Sequence, residues 1–562
     1  MKRLPVGIVN FEEIRQKNCF YADKTRFFYN LLELKAPYFL SRPRRFGKSL
    51  TLSVLKAILE GRRELFQGLW IDGSDYDWTP YPVIHLSLIY NLDSPELVRQ
   101  ALFADLKQIA RRENISIDAP SPGQSFKFLI ENLRSERGRP PAILIDEYDS
   151  PILNNLAQPE VAEQVGGVLT EFFGALKTVE ESRGFIFITG VTKFAKVSIF
   201  SELNNLVDLT LHRDYADICG FTISEFDALF QERLEQGLEN LKFNGEIEQD
   251  ATAQDLRKKI LDWYDGYSWN GRSRVLNPWS LLNFFHRSSF INFWVGSGKP
   301  TFLHNLAKDQ KLDLSVFNSN NYISEKINVI DLDRIETRPL MFQAGYLTIR
   351  TDIPPKGSSF SLVFPNLEVK EALINLWQPI EKKALCDPIL MRRQGIATRD
   401  YLFQKDALGF QKAFQSFLSN FTYRQHIARE AYYHTLFIVA LAMADQGCEV
   451  EGLVGDGQFD LQVKAPSGED FIIEIKYIND PKKKSEALRA AIKQIEDKNY
   501  IFKFQGENKR IWKTALVINR RTEVYIIFEE AENWGLEYNQ EGYYSVPQPS
   551  ASENVPEDSP GA

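Results

Sequence analysis

Over the first 230 residues, short uninterrupted apolar runs alternate with longer amphipathic stretches. Residues 38–40, 83–86, 142–145 and 185–188 are apolar or nearly so, are bounded by turn or charged residues, and read as buried strands. Residues 50–59 and 97–110 space their apolar positions as a helix does. Continuously apolar strands separated by helices predict a parallel sheet covered on both faces. Between about 231 and 425 strand-like runs become rare and aromatics become dense, as in Trp263-Tyr264-Asp265-Gly266-Tyr267 and Phe284-Phe285. That stretch predicts a mostly helical middle region with the aromatics in its core. Within it, Asn277 and Pro278 suit the cap and first residue of a helix.

From 426 to 545 the alternation returns. An amphipathic helix is expected near 427–444, strands at 459–463 and 471–477, a helix at 485–500, and strands at 515–518 and 524–528. Residues 546–562 hold four prolines and no aromatic, and predict a disordered tail. The fold class expected is α/β: an N-terminal P-loop-type parallel-sheet domain (1–230), a mostly helical middle region (231–425) and a C-terminal α/β domain (426–545).

A length of 562 residues suits about three domains. Apolar residues at 44% and charged residues at 25% exclude a wholly disordered chain, a collagen-like fibre and a bundle of membrane spans. The longest near-uniform apolar run, 435–444, falls well short of the roughly 20 residues a spanning helix needs. Four widely scattered cysteines form no C-x-x-C pair, which argues against a disulfide framework or zinc knuckle. The N-terminus carries no signal-like apolar stretch, so a reducing, cytoplasmic setting is expected. A net charge of −8 excludes a broadly basic coat protein but not a local basic groove. Residues 482–513 carry ten Lys or Arg against four acids, the excess a phosphate-binding surface needs.

Three segments carry candidate nucleotide chemistry. Gly47-Lys48-Ser49, between a strand and a helix, matches the end of the phosphate-loop pattern. Gly47 lets the backbone approach phosphate, Lys48 reaches the β- and γ-phosphates, and the Ser49 hydroxyl suits Mg²⁺. The first loop glycine is replaced by Arg42, and Pro43 has no N–H to donate. The strand at 142–145 ends in Asp146 and Glu147, where one carboxylate can hold Mg²⁺ and the other polarise an attacking water. The strand at 185–188 ends in Thr189 and, after Gly190-Val191, Thr192; either hydroxyl suits a γ-phosphate sensor.

Tyr21-Ala22-Asp23-Lys24-Thr25, Arg42 to Ser49, Leu144 to Asp149 and Thr189 to Lys193 together resemble the prokaryotic AAA-ATPase-like family over about residues 4–230. The Arg-Pro-Arg-Arg-Phe-Gly-Lys-Ser string is specific to that family, which itself lacks the first loop glycine. The resemblance implies ATP and Mg²⁺ as cofactors, with Arg44, Arg45, Gly47, Lys48, Ser49, Asp146 and Thr192 about the nucleotide and Glu147 catalytic. Arg213 is a candidate arginine finger toward a second copy, in a homo-oligomer.

The C-terminal region carries a second constellation. Two strands joined by the turn-rich stretch 465–470 read as an antiparallel hairpin. Glu474 and Lys476, two apart, share one face, and the turn puts Asp460 opposite Glu474 or Ile475. Carboxylates on neighbouring strands suit a hard divalent ion, and a lysine beside them suits water activation or developing phosphate charge. Glu430 and His434 share a face of the preceding helix, and Gln494 lies on the following one. Residues 425–530 resemble the PD-(D/E)XK nuclease superfamily, which implies a restriction-endonuclease-like fold. It also implies Asp460, Glu474 and Lys476 as the catalytic set, with Asp460, Glu474 and Glu430 toward Mg²⁺ or Mn²⁺ and Gln494 toward substrate. Gln458 stands where that family carries a basic residue. The expected function is an ATP-binding, ATP-hydrolysing protein coupled to a metal-dependent nuclease acting on DNA rather than RNA, in defence or mobile-element biology. The alternative is a nucleotide-switched scaffold whose nuclease-like domain binds nucleic acid or protein without cutting.

Overall fold

The computed structural model describes residues 2–34, 36–179, 183–195, 203, 205–296, 322–323, 327–332, 335–351, 359–376, 388–420, 430–444, 449–451, 461–497, 510–520 and 522–531. The chain forms two compact units, one of residues 1–395 with 442–445 and one of 396–441 with 446–562.

The first unit is organised on a five-stranded parallel sheet. Its strands are β1 (Pro37–Ser41), β2 (Val83–Ser87), β3 (Ala142–Asp146), β4 (Ile186–Gly190) and the short β5 (Val207–Asp208), in the order β2-β3-β4-β1-β5. Every residue of β1, β3 and β4 is buried, which is why these strands are apolar without alternation. Chain order and strand order diverge at β1, which lies beside β4 although 145 residues separate Ser41 from Ile186 (186 − 41). Strand ends from 41, 146 and 190 therefore meet at one edge of the sheet, where doubly wound folds place ligands.

The middle of the chain packs against the N-terminal segment through aromatics. Phe221, Phe226, Phe230, Tyr264 and Phe284 share one buried core with Phe20 from the N-terminal segment. The helix Pro278–Arg287 starts where its sequence predicts: the Asn277 side chain accepts hydrogen bonds from the backbone N–H groups of Trp279 (3.0 Å) and Ser280 (3.3 Å).

The second unit holds a mixed five-stranded sheet. Its strands are Glu449–Glu451, Leu461–Lys464, Asp470–Ile478, Ile511–Asn519 and Val524–Glu530, in that spatial order. All neighbours are antiparallel except Asp470–Ile478 with Ile511–Asn519, which run parallel. A parallel pair needs a crossover, and the helix Lys484–Asp497 lies within it, burying Ala491, Ile492 and Ile495. The strand Glu449–Glu451, with acidic residues at both ends, carried no strand signal in sequence; pairing with Leu461–Lys464 sets it. Among the described residues, no helix is long and apolar enough to cross a membrane.

Candidate functional site

The loop leaving β1 is shaped by left-handed residues. Gly47 has φ +93° and is the N-cap of the helix Lys48–Leu59, with no side chain capping that end. The first turn's N–H groups thus face whatever anion enters the loop. Arg45 also has positive φ, +69°, a position that costs a non-glycine residue about 1 kcal/mol or more.

Lys48 is buried, and its Nζ donates to the carbonyls of Arg42 (3.0 Å) and Pro43 (3.1 Å). The Ser49 hydroxyl donates to Asp146 Oδ2 at 2.5 Å, and the Thr189 hydroxyl to Asp146 Oδ1 at 2.6 Å. Loop, β3 and β4 thus converge on one carboxylate. A serine hydroxyl in contact with an aspartate is an oxygen donor pair of the kind Mg²⁺ takes, so the residues present fit that ion. Glu147, half-buried, follows with φ +49°.

Thr192 is fully buried and does something different. Its hydroxyl and backbone N–H both donate to Asp149 Oδ2 at 2.6 Å, and Val191 N–H donates to the same carboxylate. Burial pushes the Asp149 carboxyl up, against the pull of those Thr192 bonds. Sequence reading did not single out Asp149, which latches the end of β4 to the end of β3. Its sequence signal was its place three residues after Asp146.

Arg42 is wholly buried. Its guanidinium donates to the carbonyls of Ser41 (2.8 Å), Thr210 (3.0 Å), Tyr215 (3.1 Å) and Ala216 (3.4 Å), and lies 4.1 Å from the ring centre of Trp269. Burial lowers its pKa to about 10, so it stays a cation at neutral pH. The residue at the first-glycine position is therefore part of the scaffold that holds the loop.

Each loop residue from 42 to 46 meets the middle of the chain. A Cβ at Gly345 would stand 2.7 Å from Pro43. Trp294 Nε1 donates to the Arg44 carbonyl at 3.2 Å, and Arg44 itself is half-buried. The exposed Arg45 sets its guanidinium 4.3 Å from the ring centre of Trp279. Phe46 packs edge-on against Tyr267 and Trp269. Beside the loop opens a cleft of about 160 Å³, lined by Gly47, Leu50 and Thr51 on one side and by Tyr21, Cys219 and Trp279 among others. Arg213 is exposed on a short 3-10 turn.

In the second unit, Glu474 and Lys476 share a face of the strand Asp470–Ile478, and Lys476 Nζ donates to Glu474 Oε1 at 2.8 Å. Glu430, at the start of the helix Glu430–Met443, accepts from Lys476 Nζ (3.3 Å) and from Tyr477 N–H (3.4 Å). Glu474 is 1% exposed and Lys476 24% by side chain, so a buried carboxylate opens toward solvent through the lysine. Asp460 lies outside the described residues. Leu461 pairs with Ile473, the register that an Asp460–Glu474 pairing requires. Gln494 is half-buried on the helix Lys484–Asp497, beside Ile492 and Ile495. Among the described residues, no group of three or more His, Cys, Asp and Glu stands ready for a metal. The two glutamates still supply oxygen donors of the kind a hard divalent ion takes.

Comparison with known proteins agrees with this division. Residues 5–200 match the family model "Predicted AAA-ATPase", and residues 428–528 match the model of the PD-(D/E)XK nuclease superfamily. The chain is 32% identical over 531 residues to "Uncharacterized protein in vnfD 5'region" of Azotobacter chroococcum mcd 1, covering 92% of this chain and 97% of that protein. With both expected regions matched and a relative aligned along nearly its whole length, the chain belongs to the AAA-ATPase-like proteins that carry a C-terminal PD-(D/E)XK nuclease-superfamily domain.

Proposed function

We propose that this protein binds and hydrolyses ATP with Mg²⁺ and uses that cycle to control a Mg²⁺- or Mn²⁺-dependent nuclease that cuts DNA, in defence against foreign DNA or in mobile-element biology. The observation that carries the nuclease reading is the buried Glu474 joined to the partly exposed Lys476 on one strand, with Glu430 reaching the same lysine. A divalent ion bound to Asp460, Glu474 and Glu430 would supply Lewis acidity and a nucleophilic water. Lys476 then steadies negative charge developing on the phosphate, and Gln494 contacts the substrate. Exposed Lys482, Lys483, Arg489 and Lys493 follow directly after this strand and suit phosphate contacts.

For ATP, the support is the meeting of Lys48, Ser49, Asp146 and Thr189 at one sheet edge. Lys48 holds the β- and γ-phosphates, and Glu147 polarises the attacking water. Arg44 and Arg45 lie about the phosphates, and Thr192 acts through Asp149, steadying the end of β4 on the γ-phosphate side. Among the described residues that line the cleft beside the loop none is Asp or Glu, whereas guanine's ring N–H and amino group call for a carboxylate, so adenine is the better fit. Assembly of copies would bring Arg213 of one to the nucleotide of the next.

The test is nicking of supercoiled plasmid with Mg²⁺ or Mn²⁺, with and without ATP. Wild type is expected to nick, and Asp460→Ala and Lys476→Ala each to lose at least about 100-fold. Equal cleavage by all three proteins overturns the nuclease assignment. Metal-independent DNA retention without cleavage supports the scaffold alternative.

A further inference from the structure

We propose that Trp279 is the face on which the nucleobase stacks, and that Arg45, which lies over it here, leaves the indole for the phosphates when the nucleotide enters. This rests on the reading of the loop as a nucleotide site.

The cleft is continuous with the loop: Gly47, Leu50 and Thr51 line it, so a ligand anchored by phosphate at Gly47 and Lys48 extends its other end into it. Most of that lining is apolar, and Lys24, which also lines it, is already paired with Glu225 at 2.6 Å. An apolar cleft joined to an anion-binding loop fits a molecule with a flat heterocycle at one end and phosphates at the other. Stacking is then the main recognition available to the ring.

Trp279 is held in place for that task. Its backbone N–H is capped by Asn277, and its indole N–H donates to the Phe293 carbonyl at 3.1 Å, which fixes the ring plane. A fixed aromatic wall loses little freedom when a ring settles on it. Arg45 lines the same cleft, with its guanidinium over the Trp279 ring. A guanidinium–indole contact at an exposed position is weaker than a charge-assisted bond from the same group to phosphate. A polyphosphate that engages Arg45 in several such bonds draws it off the indole and uncovers that face for the base. Trp279 lies beyond residues 5–200, so the site is completed by a segment outside the matched ATPase region.

The experiment is titration calorimetry of the full chain with Mg²⁺, using ATP and inorganic tripolyphosphate as separate ligands, on wild type, Trp279→Phe and Arg45→Ala. Trp279→Phe is expected to weaken ATP at least ten-fold and leave tripolyphosphate unchanged, which also shows that the loop is folded. Arg45→Ala is expected to weaken both ligands by a similar factor. ATP is expected to quench tryptophan emission in wild type and to lose most of that quench in Trp279→Phe. Wild-type ATP affinity in Trp279→Phe, or an equal loss of ATP and tripolyphosphate, overturns the proposal. A wild-type chain that binds neither ligand overturns the nucleotide reading itself.

Discussion

The two sites use lysine in opposite electrostatic settings. Lys48 is buried and bonded to neutral carbonyls of its own loop, with the Asp149 carboxyl feeling its positive charge from further off. Lys476 stands between two carboxylates, Glu430 and Glu474, and the trio carries a net charge of −1. The first arrangement attracts an anion; the second attracts a cation and then keeps a positive group beside it. Under the proposed function one residue type thus serves a phosphate-binding loop in one unit and a cation-binding strand in the other, and the neighbouring oxygens decide which.

That contrast breaks most directly by removing one charge at each site. Lys48→Ala is expected to lose about 100-fold or more in ATP affinity, while binding of Mn²⁺ without nucleotide stays at wild-type level. Glu474→Gln is expected to do the reverse, losing Mn²⁺ and keeping ATP. Calorimetry with each ligand checks both, and a variant that loses both ligands dissolves the contrast.

A second variant separates scaffold from ligand contact within the loop. Arg42→Met strips the partner from several buried carbonyls and is expected to cost about 3 kcal/mol or more. Urea denaturation of the first unit measures this. Unchanged stability with weakened ATP binding would make Arg42 a ligand contact instead.

A pH-dependent effect concerns Glu368, which is buried and accepts from the N–H groups of Phe293 and Trp294. Burial pushes its carboxyl up to about 8, from an ordinary 4.5. Between those values the unfolded chain has lost this proton and the folded chain keeps it. Folded protein then binds more protons, so stability falls as pH rises through this window, by about 1.4 kcal/mol per pH unit at most from this group, and levels above pH 8. Glu368→Gln is expected to remove that slope in denaturation curves taken from pH 5 to 9; an unchanged slope means the carboxyl titrates normally.

Local chemistry made much of this legible. The strands at 142–145 and 185–188 are apolar throughout because both faces are covered, and Asn277-Pro278 opens a helix through bonds only two and three residues long. Alternation and the turn-rich stretch around Gly468 (φ +84°) predicted the hairpin but left its register open by one residue, which the Leu461–Ile473 pairing fixes. What stayed hidden depends on distant partners. Arg42 reads in sequence as one cation of a basic turn, yet its acceptors at 210, 215 and 216 lie some 170 residues away, and Trp269 further still. Asp149 reads as a loop acid until β4 brings Thr192 to it. Tryptophans 269, 279 and 294 read as core aromatics, and only the packing shows that each also touches the loop.

The backing of residues 42–46 by tryptophans and Gly345 has a consequence for modularity. The packing partners of the loop reach as far as Gly345, far beyond the matched boundary at 200. A chimera built by grafting residues 5–200 onto another effector would carry the loop's sequence without the wall that shapes it. Substitutions in the 267–294 stretch would then change how residues 42–46 are held while the loop's own sequence stays untouched.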